Sequence, residues 1–170
     1  DNFEQGFKAI ALRTNDLDKL KDEFEAKGLD VVGPIEMGRE NKKGEQTSWR
    51  LLYLNQPDAK LKPPFFIEWN KSEEERVEAL ENRFQPQFKI KAIEIQTTQQ
   101  ALVVNQWRDW FGMEVVSEDE EITTLKLPDE AIEYRIQSGR KDKYAIVIQD
   151  TTAETPYHIV TRGGAYHFEP

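Results

Sequence analysis

Two short stretches, Phe7-Lys8-Ala9-Ile10-Ala11-Leu12 and Ile90-Lys91-Ala92-Ile93-Glu94-Ile95, share a Lys-Ala-Ile step and the same alternation of small or polar with aliphatic side chains. Each is followed by a helical pattern, a closing glycine and further strand-like runs. A repeat with a period of about eighty residues restricts the chain to folds that use one supersecondary unit more than once.

The first copy reads in order as strand, helix and three strands. Phe7 to Thr14 alternate, with Ile10 and Leu12 on one face and Ala9, Ala11 and Arg13 on the other. Asn15-Asp16 supplies N-cap side chains for a helix carrying Leu17, Leu20 and Phe24, which Gly28 closes. Val31-Val32, Trp49 to Leu54 and Phe65 to Trp69 are the following strands, the last two antiparallel neighbours, with a polar tip from Glu40 to Gln46. A charged segment, Ser72 to Phe84, spaces Val77, Leu80 and Phe84 for a connecting helix that Pro86 ends.

In the second copy, Thr97-Thr98 caps a helix with Ala101, Leu102, Val104, Trp107, Trp110 and Phe111, closed by Gly112. Strands are expected at Glu114 to Ser117, Thr123 to Leu127 and Ile132 to Gln137. The tail, Tyr144 to Gln149 and Tyr157 to Phe168, reads as three more strands, the last two a hairpin with Gly163-Gly164 at its turn. These strands are either a third unit that has lost its helix or edge strands that complete the sheet. The division is a first unit over residues 1–70, a connecting helix or linker over 71–87, a second unit over 88–140 and closing strands over 141–170.

A formal charge of −9, with scattered Lys and Arg, excludes an extended basic face for nucleic acid. The absence of Cys excludes thiol catalysis and thiolate metal sites and suits a reducing cytoplasm. No apolar run approaches a membrane span, and no signal-peptide pattern is present. A cytoplasmic protein without nucleic-acid or membrane partners is expected.

The repeated strand-helix-three-strand unit resembles the architecture of the vicinal-oxygen-chelate superfamily. In residues 6–69 it is similar to the glyoxalase-like domain family: Leu12-Arg13-Thr14-Asn15-Asp16-Leu17-Asp18, Gly33-Pro34 with Gly38-Arg39, Trp49-Arg50-Leu51-Leu52, and Pro64-Phe65-Phe66-Ile67-Glu68-Trp69. The resemblance implies an α+β fold of tandem βαβββ units of the glyoxalase/bleomycin-resistance type, here with an extra C-terminal β-hairpin. It also implies a cleft whose metal, where present, is held by a strand-one His and a strand-four Glu. In this sequence those positions fall on Ala9 and Glu68 in the first unit, and on Ala92 and near Arg135 in the second. One carboxylate in four positions makes no metal site, so no cofactor is expected in this chain, and a divalent metal only with further ligands. His158 and His167, nine residues apart, are placed by spacing on opposite strand faces and are not expected to be ligands. The resemblance also implies a front unit that this sequence is expected to lack, as a fragment or a shortened relative; a homodimer, or that unit, is expected to cover an exposed edge and apolar surface around Phe3, Phe7 and the Trp69 strand.

Alternation leaves a set facing away from the helices: Ala9, Ala11, Arg13, Phe66 and Glu68 in the first unit, and Ala92, Glu94, Gln96, Glu133, Arg135 and Gln137 in the second. Trp49 and Trp69 read as core aromatics. The set is either a solvated face of cross-strand ion pairs or a polar pocket for a small anionic or amphipathic ligand. On the second reading the ligand-binding candidates are Arg13, Arg39, Arg50, Glu68, Glu94 and Arg135, with Glu68 as the candidate catalytic group. Two functions follow as expectations: a small-molecule-binding protein without a conventional metal site, or a metal-dependent lyase, isomerase or dioxygenase-type enzyme whose ligands come largely from the absent N-terminal unit.

Overall fold

The computed structural model describes residues 5–57, 59, 61–80 and 87–170, so the expectations for Phe3, Phe84 and Pro86 lie outside the described residues. The chain divides into two compact units, Ala9–Phe84 and Asp1–Lys8 with Gln85–Pro170.

The unit Ala9–Phe84 runs β1 (Ala11–Arg13), α1 (Leu17–Ala26), β2 (Val31–Glu40), β3 (Gln46–Leu54), β4 (Phe65–Trp69) and α2 (Glu73–Leu80). Its four strands lie in the order β1-β4-β3-β2, with β1 parallel to β4 and the other pairs antiparallel. That is the expected strand-helix-three-strand unit. The first strand is shorter than the alternation suggested. Only Ala11–Arg13 form the ladder, extended by single bonds from the Phe65 N–H to the Ile10 carbonyl and from the Thr14 N–H to the Ile67 carbonyl, each 3.0 Å.

Helix α1 starts where Asp16 accepts the Lys19 N–H at 2.9 Å. It stops where Gly28, at φ +78°, lets its own N–H reach the Glu25 carbonyl and that of Leu29 reach the Phe24 carbonyl. Its buried side chains, Leu17 and Phe24, cover the sheet face made by Leu12, Leu52 and Phe66, all buried, with the Phe24 and Phe66 rings 5.1 Å apart. Ser72 and Glu75 cap α2 reciprocally: the Glu75 N–H donates to the Ser72 hydroxyl at 3.2 Å and the Ser72 N–H to the Glu75 carboxylate at 2.8 Å. Val77 and Leu80 of α2 are half exposed.

The other unit runs β5 (Phe88–Thr97), α3 (Gln100–Phe111), β6 (Glu114–Glu118), β7 (Ile122–Lys126), β8 (Glu133–Ser138), β9 (Lys143–Asp150), β10 (Tyr157–Thr161) and β11 (Gly164–Glu169). Its sheet has the order β10-β11-β9-β5-β8-β7-β6. The run β5-β8-β7-β6 repeats β1-β4-β3-β2 in order and in strand direction. On the other edge of β5 lies β9, antiparallel; β11 is parallel to β9, and β10 antiparallel to β11. Strands β9, β11 and β10 therefore stand in the order and directions of strands one, four and three of the same unit.

Helix α3 buries Val103 and Trp107 over Ile95, Ile136 and Tyr134, with the Trp107 ring edge-on to Tyr134 at 5.7 Å. Leu102, expected in the core, is instead 42% exposed, because the buried stripe runs through Val103 one position on. The N-cap is Gln99, without a side-chain cap bond, rather than a Thr97-Thr98 cap.

The final hairpin corrects two expectations. Thr161 pairs with Gly164, so the turn is Arg162-Gly163, both at positive φ, a turn whose twist matches the strands it joins. His158 pairs directly with His167. The two therefore share a face: spacing along one continuous strand does not apply across a reversal of the chain. Phe7, expected to be exposed, packs edge-on against Tyr166 of β11 at 5.3 Å.

Candidate functional site

In the unit Ala9–Phe84 the sequence expectation centred on Glu68. Leu12 pairs with Phe66, which touches α1, so Phe66 and Glu68 lie on the helix side of the sheet rather than on its open face. The reason is the parallel register of β1 and β4, which alternation within single strands does not reveal. Glu68 Oε2 accepts the Leu17 N–H at 2.8 Å, at the start of α1, and Oε1 accepts from Arg50 Nε and Nη2 at 3.1 and 2.7 Å. Arg50 Nη2 also donates to Asp18 at 3.0 Å. Hydrogen bonds from Arg50 to Asp18 first and Glu68 second raise the guanidinium pKa above its ordinary value. Glu68 and Arg50 thus join helix α1 to the sheet.

The open face of this sheet carries Arg13, which pairs with Glu73 at the start of α2. Beyond it lie Trp49 and Trp69, rings 5.4 Å apart, with Arg76 over Trp69 at 5.0 Å. Val32, Ile35 and Met37, which pair with Tyr53, Leu51 and Trp49, leave that face apolar and about 40% exposed. Arg39 stands exposed near the end of β2, opposite Thr47. Of the expected ligand-binding arginines, Arg13, Arg39 and Arg50 therefore do not converge.

The polar cleft lies on the seven-stranded sheet, on the side away from α3. Its rows are set by register. Gln137, Gln96 and Lys143 stand side by side on β8, β5 and β9, and the next row is Arg135, Glu94 and Ala145. Beyond these come Glu133, Ala92 and Val147, with His167 beside Val147. Ala92 and Ala145, both buried, make a low floor between longer side chains. His167 Nδ1 lies 2.9 Å from Glu94 Oε2. Arg135 donates to Glu169 at 3.0 Å and to Glu133 at 3.2 Å, and Lys91 Nζ donates to the other Glu169 oxygen at 2.7 Å. Two hollows meet at the Glu94–His167 pair. The larger, about 630 Å³, is bounded by Lys91, Tyr157, His158 and Glu169; the smaller, about 190 Å³, by Gln96, Gln137, Lys143 and Ala165.

Burial pulls the Arg135 guanidinium toward losing its proton, but bonds to Glu169 and Glu133 outweigh it and the pKa is raised. The Glu169 carboxyl is held below the ordinary carboxylate range, first by its bond from Lys91 and then, against burial, by Arg135. Folded Glu169 binds its proton less readily than unfolded Glu169, so its contribution to stability is present above pH 4.5 and is lost as the pH falls through its lowered folded pKa. Glu169→Gln is expected to lower stability at neutral pH and to flatten this acid limb. Urea unfolding at pH 7 and pH 3.5 checks it: an unchanged difference between the two pH values would show that Glu169 carries no such linkage.

The family model described as glyoxalase-like domain matches residues 1–111. The chain belongs to the glyoxalase-like domain family. A crystal structure of a hypothetical protein from Staphylococcus aureus is 40% identical, with a TM-score of 0.94 over 99% of this chain and 68% of that one. The Mn(II)-bound glyoxalase from Novosphingobium aromaticivorans is 14% identical, with a TM-score of 0.55 over 95% of this chain and 62% of that one, a likeness of fold alone. Comparison with curated proteins finds no match.

The metal that a glyoxalase-like domain implies does not fit the residues present. Ala9 and Ala92 have no donor atom, Arg135 is a cation, and both Glu68 oxygens are engaged by Leu17 and Arg50. Among the described residues no three His, Asp or Glu side chains converge as a ligand set.

Of the sequence candidates, Glu94 and Arg135 meet in the cleft as register partners. Sequence reasoning missed Lys91, Lys143 and Glu169 and discounted His167. The available signal was the tail read as a third unit, since alternation on β11 then puts His167 and Glu169 on the cleft side.

Proposed function

We propose that this chain is a small-molecule-binding member of the glyoxalase-like domain family, with its ligand on the polar open face of β5, β8, β9 and β11 and no metal held by the chain itself. The observation that carries this reading is the Glu94–His167 pair between two hollows, walled by a fixed network of Lys91, Glu133, Arg135 and Glu169. Paired side chains around a low alanine floor are pre-organised, so a ligand meets polar groups already oriented. In the first unit, by contrast, ion pairing is spent on joining α1 to its sheet. Strands β9, β11 and β10 act on this reading as a reduced third unit that supplies the far wall of the cleft.

The test is a screen of small polar molecules against isotope-labelled protein. Chemical-shift changes are expected at Glu94, Arg135, His167 and Glu169, and Arg135→Met is expected to weaken them. Ligands that shift only the Trp49–Trp69 face would overturn the assignment of the site.

A second reading has its own observation. Strand β1 stands at the edge of its sheet, whereas its counterpart β5 is flanked on that edge by β9, and the open face beside β1 is apolar. A further βαβββ unit, preceding this chain or supplied by a second copy, would cover that edge as β9 covers β5. The part of the Staphylococcus aureus chain left unmatched is about one repeat long. A metal-dependent enzyme would then draw its ligands from that further unit. Light scattering separates a dimer from a monomer, and metal content of the longest natural chain tests the enzyme.

A further inference from the structure

The smaller hollow is lined by polar groups that have no protein partner among the described residues. Gln96 and Gln137 are half-buried register partners on β5 and β8, and neither carboxamide makes a hydrogen bond among the described residues. Lys143, opposite Gln96 on β9, also has no carboxylate partner among the described residues, whereas Lys91, the lysine of the larger hollow, is held by Glu169. Glu94 is the single anion lining the smaller hollow, and His167 engages it. The Gln96 side chain lies over Gly139, where an added Cβ would collide with its Cγ and Cδ.

Two carboxamides and one ammonium, none with a protein partner among the described residues, stand in one register row along the smaller hollow. Gln96 and Gln137 are half-buried and Lys143 is exposed, so all three reach solvent and a ligand would exchange water for its own acceptors there. We propose that Gln96, Gln137 and Lys143 form a subsite for the carboxylate of a small organic acid. The subsite lies within the cleft and so rests on the reading of that cleft as a ligand site. One lysine matches one carboxylate charge, whereas a phosphoryl dianion would bring an uncompensated charge next to Glu94. The remainder of the acid points across the Glu94–His167 pair toward the larger hollow.

The probes are butyrate, the uncharged butyramide and inorganic phosphate, titrated into labelled protein with amide shifts as readout. Butyrate is expected to move Gln96, Gln137 and Lys143, butyramide and phosphate to bind far more weakly, and Lys143→Met, at an exposed strand end, to weaken butyrate about tenfold. Gly139→Ala is expected to displace Gln96 and weaken butyrate severalfold while leaving the Lys143 signal in place. Equal binding of butyrate and butyramide, or an unchanged affinity in Lys143→Met, overturns the subsite. If other small molecules still shift Glu94, Arg135 and His167, the cleft reading stands without it; if no molecule shifts that face, both fall.

Discussion

Trp107→Ala is expected to cost about 4 kcal/mol, the largest loss from any single truncation in the unit that carries the cleft. Trp107 is 2% exposed and lies between α3 and β8, edge-on to Tyr134 at 5.7 Å and to Phe111 at 5.8 Å. Removing the indole loses its transfer energy and leaves a cavity that neighbours fixed in a sheet fill poorly. Tyr134, whose hydroxyl burial pushes up to about 12, stands between Glu133 and Arg135 on β8. Loss of the indole behind it therefore loosens the strand that presents Arg135 to the cleft. Leu102→Ala, one turn away on the exposed side of α3, is expected to cost under about 1 kcal/mol. Equilibrium urea unfolding of both variants checks the contrast. Equal losses would mean that the helix buries a different stripe.

Glu68→Ala is expected to destabilise the first unit by about 2 kcal/mol. It strips the Leu17 N–H and the Arg50 guanidinium of a shared acceptor at 2.8, 2.7 and 3.1 Å. The two side chains are 20% and 26% exposed, so water recovers part of the loss and the figure stays below that of a fully buried ion pair. Glu68→Gln keeps an acceptor for Leu17 and gives up the charge on Arg50, so about half the loss is expected. Ligand binding on the other sheet should be unchanged in both variants. Thermal unfolding and ligand titration decide together: a variant of unaltered stability that no longer binds ligand would return Glu68 to the binding site.

Local pattern alone specifies the repeat, the strand-helix-three-strand order of both units, both ends of α1 and the C-terminal end of α3. These are local matters: alternation, a capping Asp16, and Gly28 and Gly112 at left-handed positions are properties of neighbours in the chain. The sequence also determines that Ala9 and Ala92 cannot ligate a metal, because that depends on composition alone. Which carboxylates face a cleft is set by strand pairing. Glu68 turned to the helix side because the parallel pairing of β1 with β4 places Phe66 beside Leu12, and no pattern within β4 specifies that register. His167 joined Glu94 because β9 lies on the edge of β5 and β11 on the edge of β9, bringing together residues seventy-three positions apart. Periodicity says which residues share a face of a strand. Which faces meet depends on strand order, set by burial summed over the whole sheet.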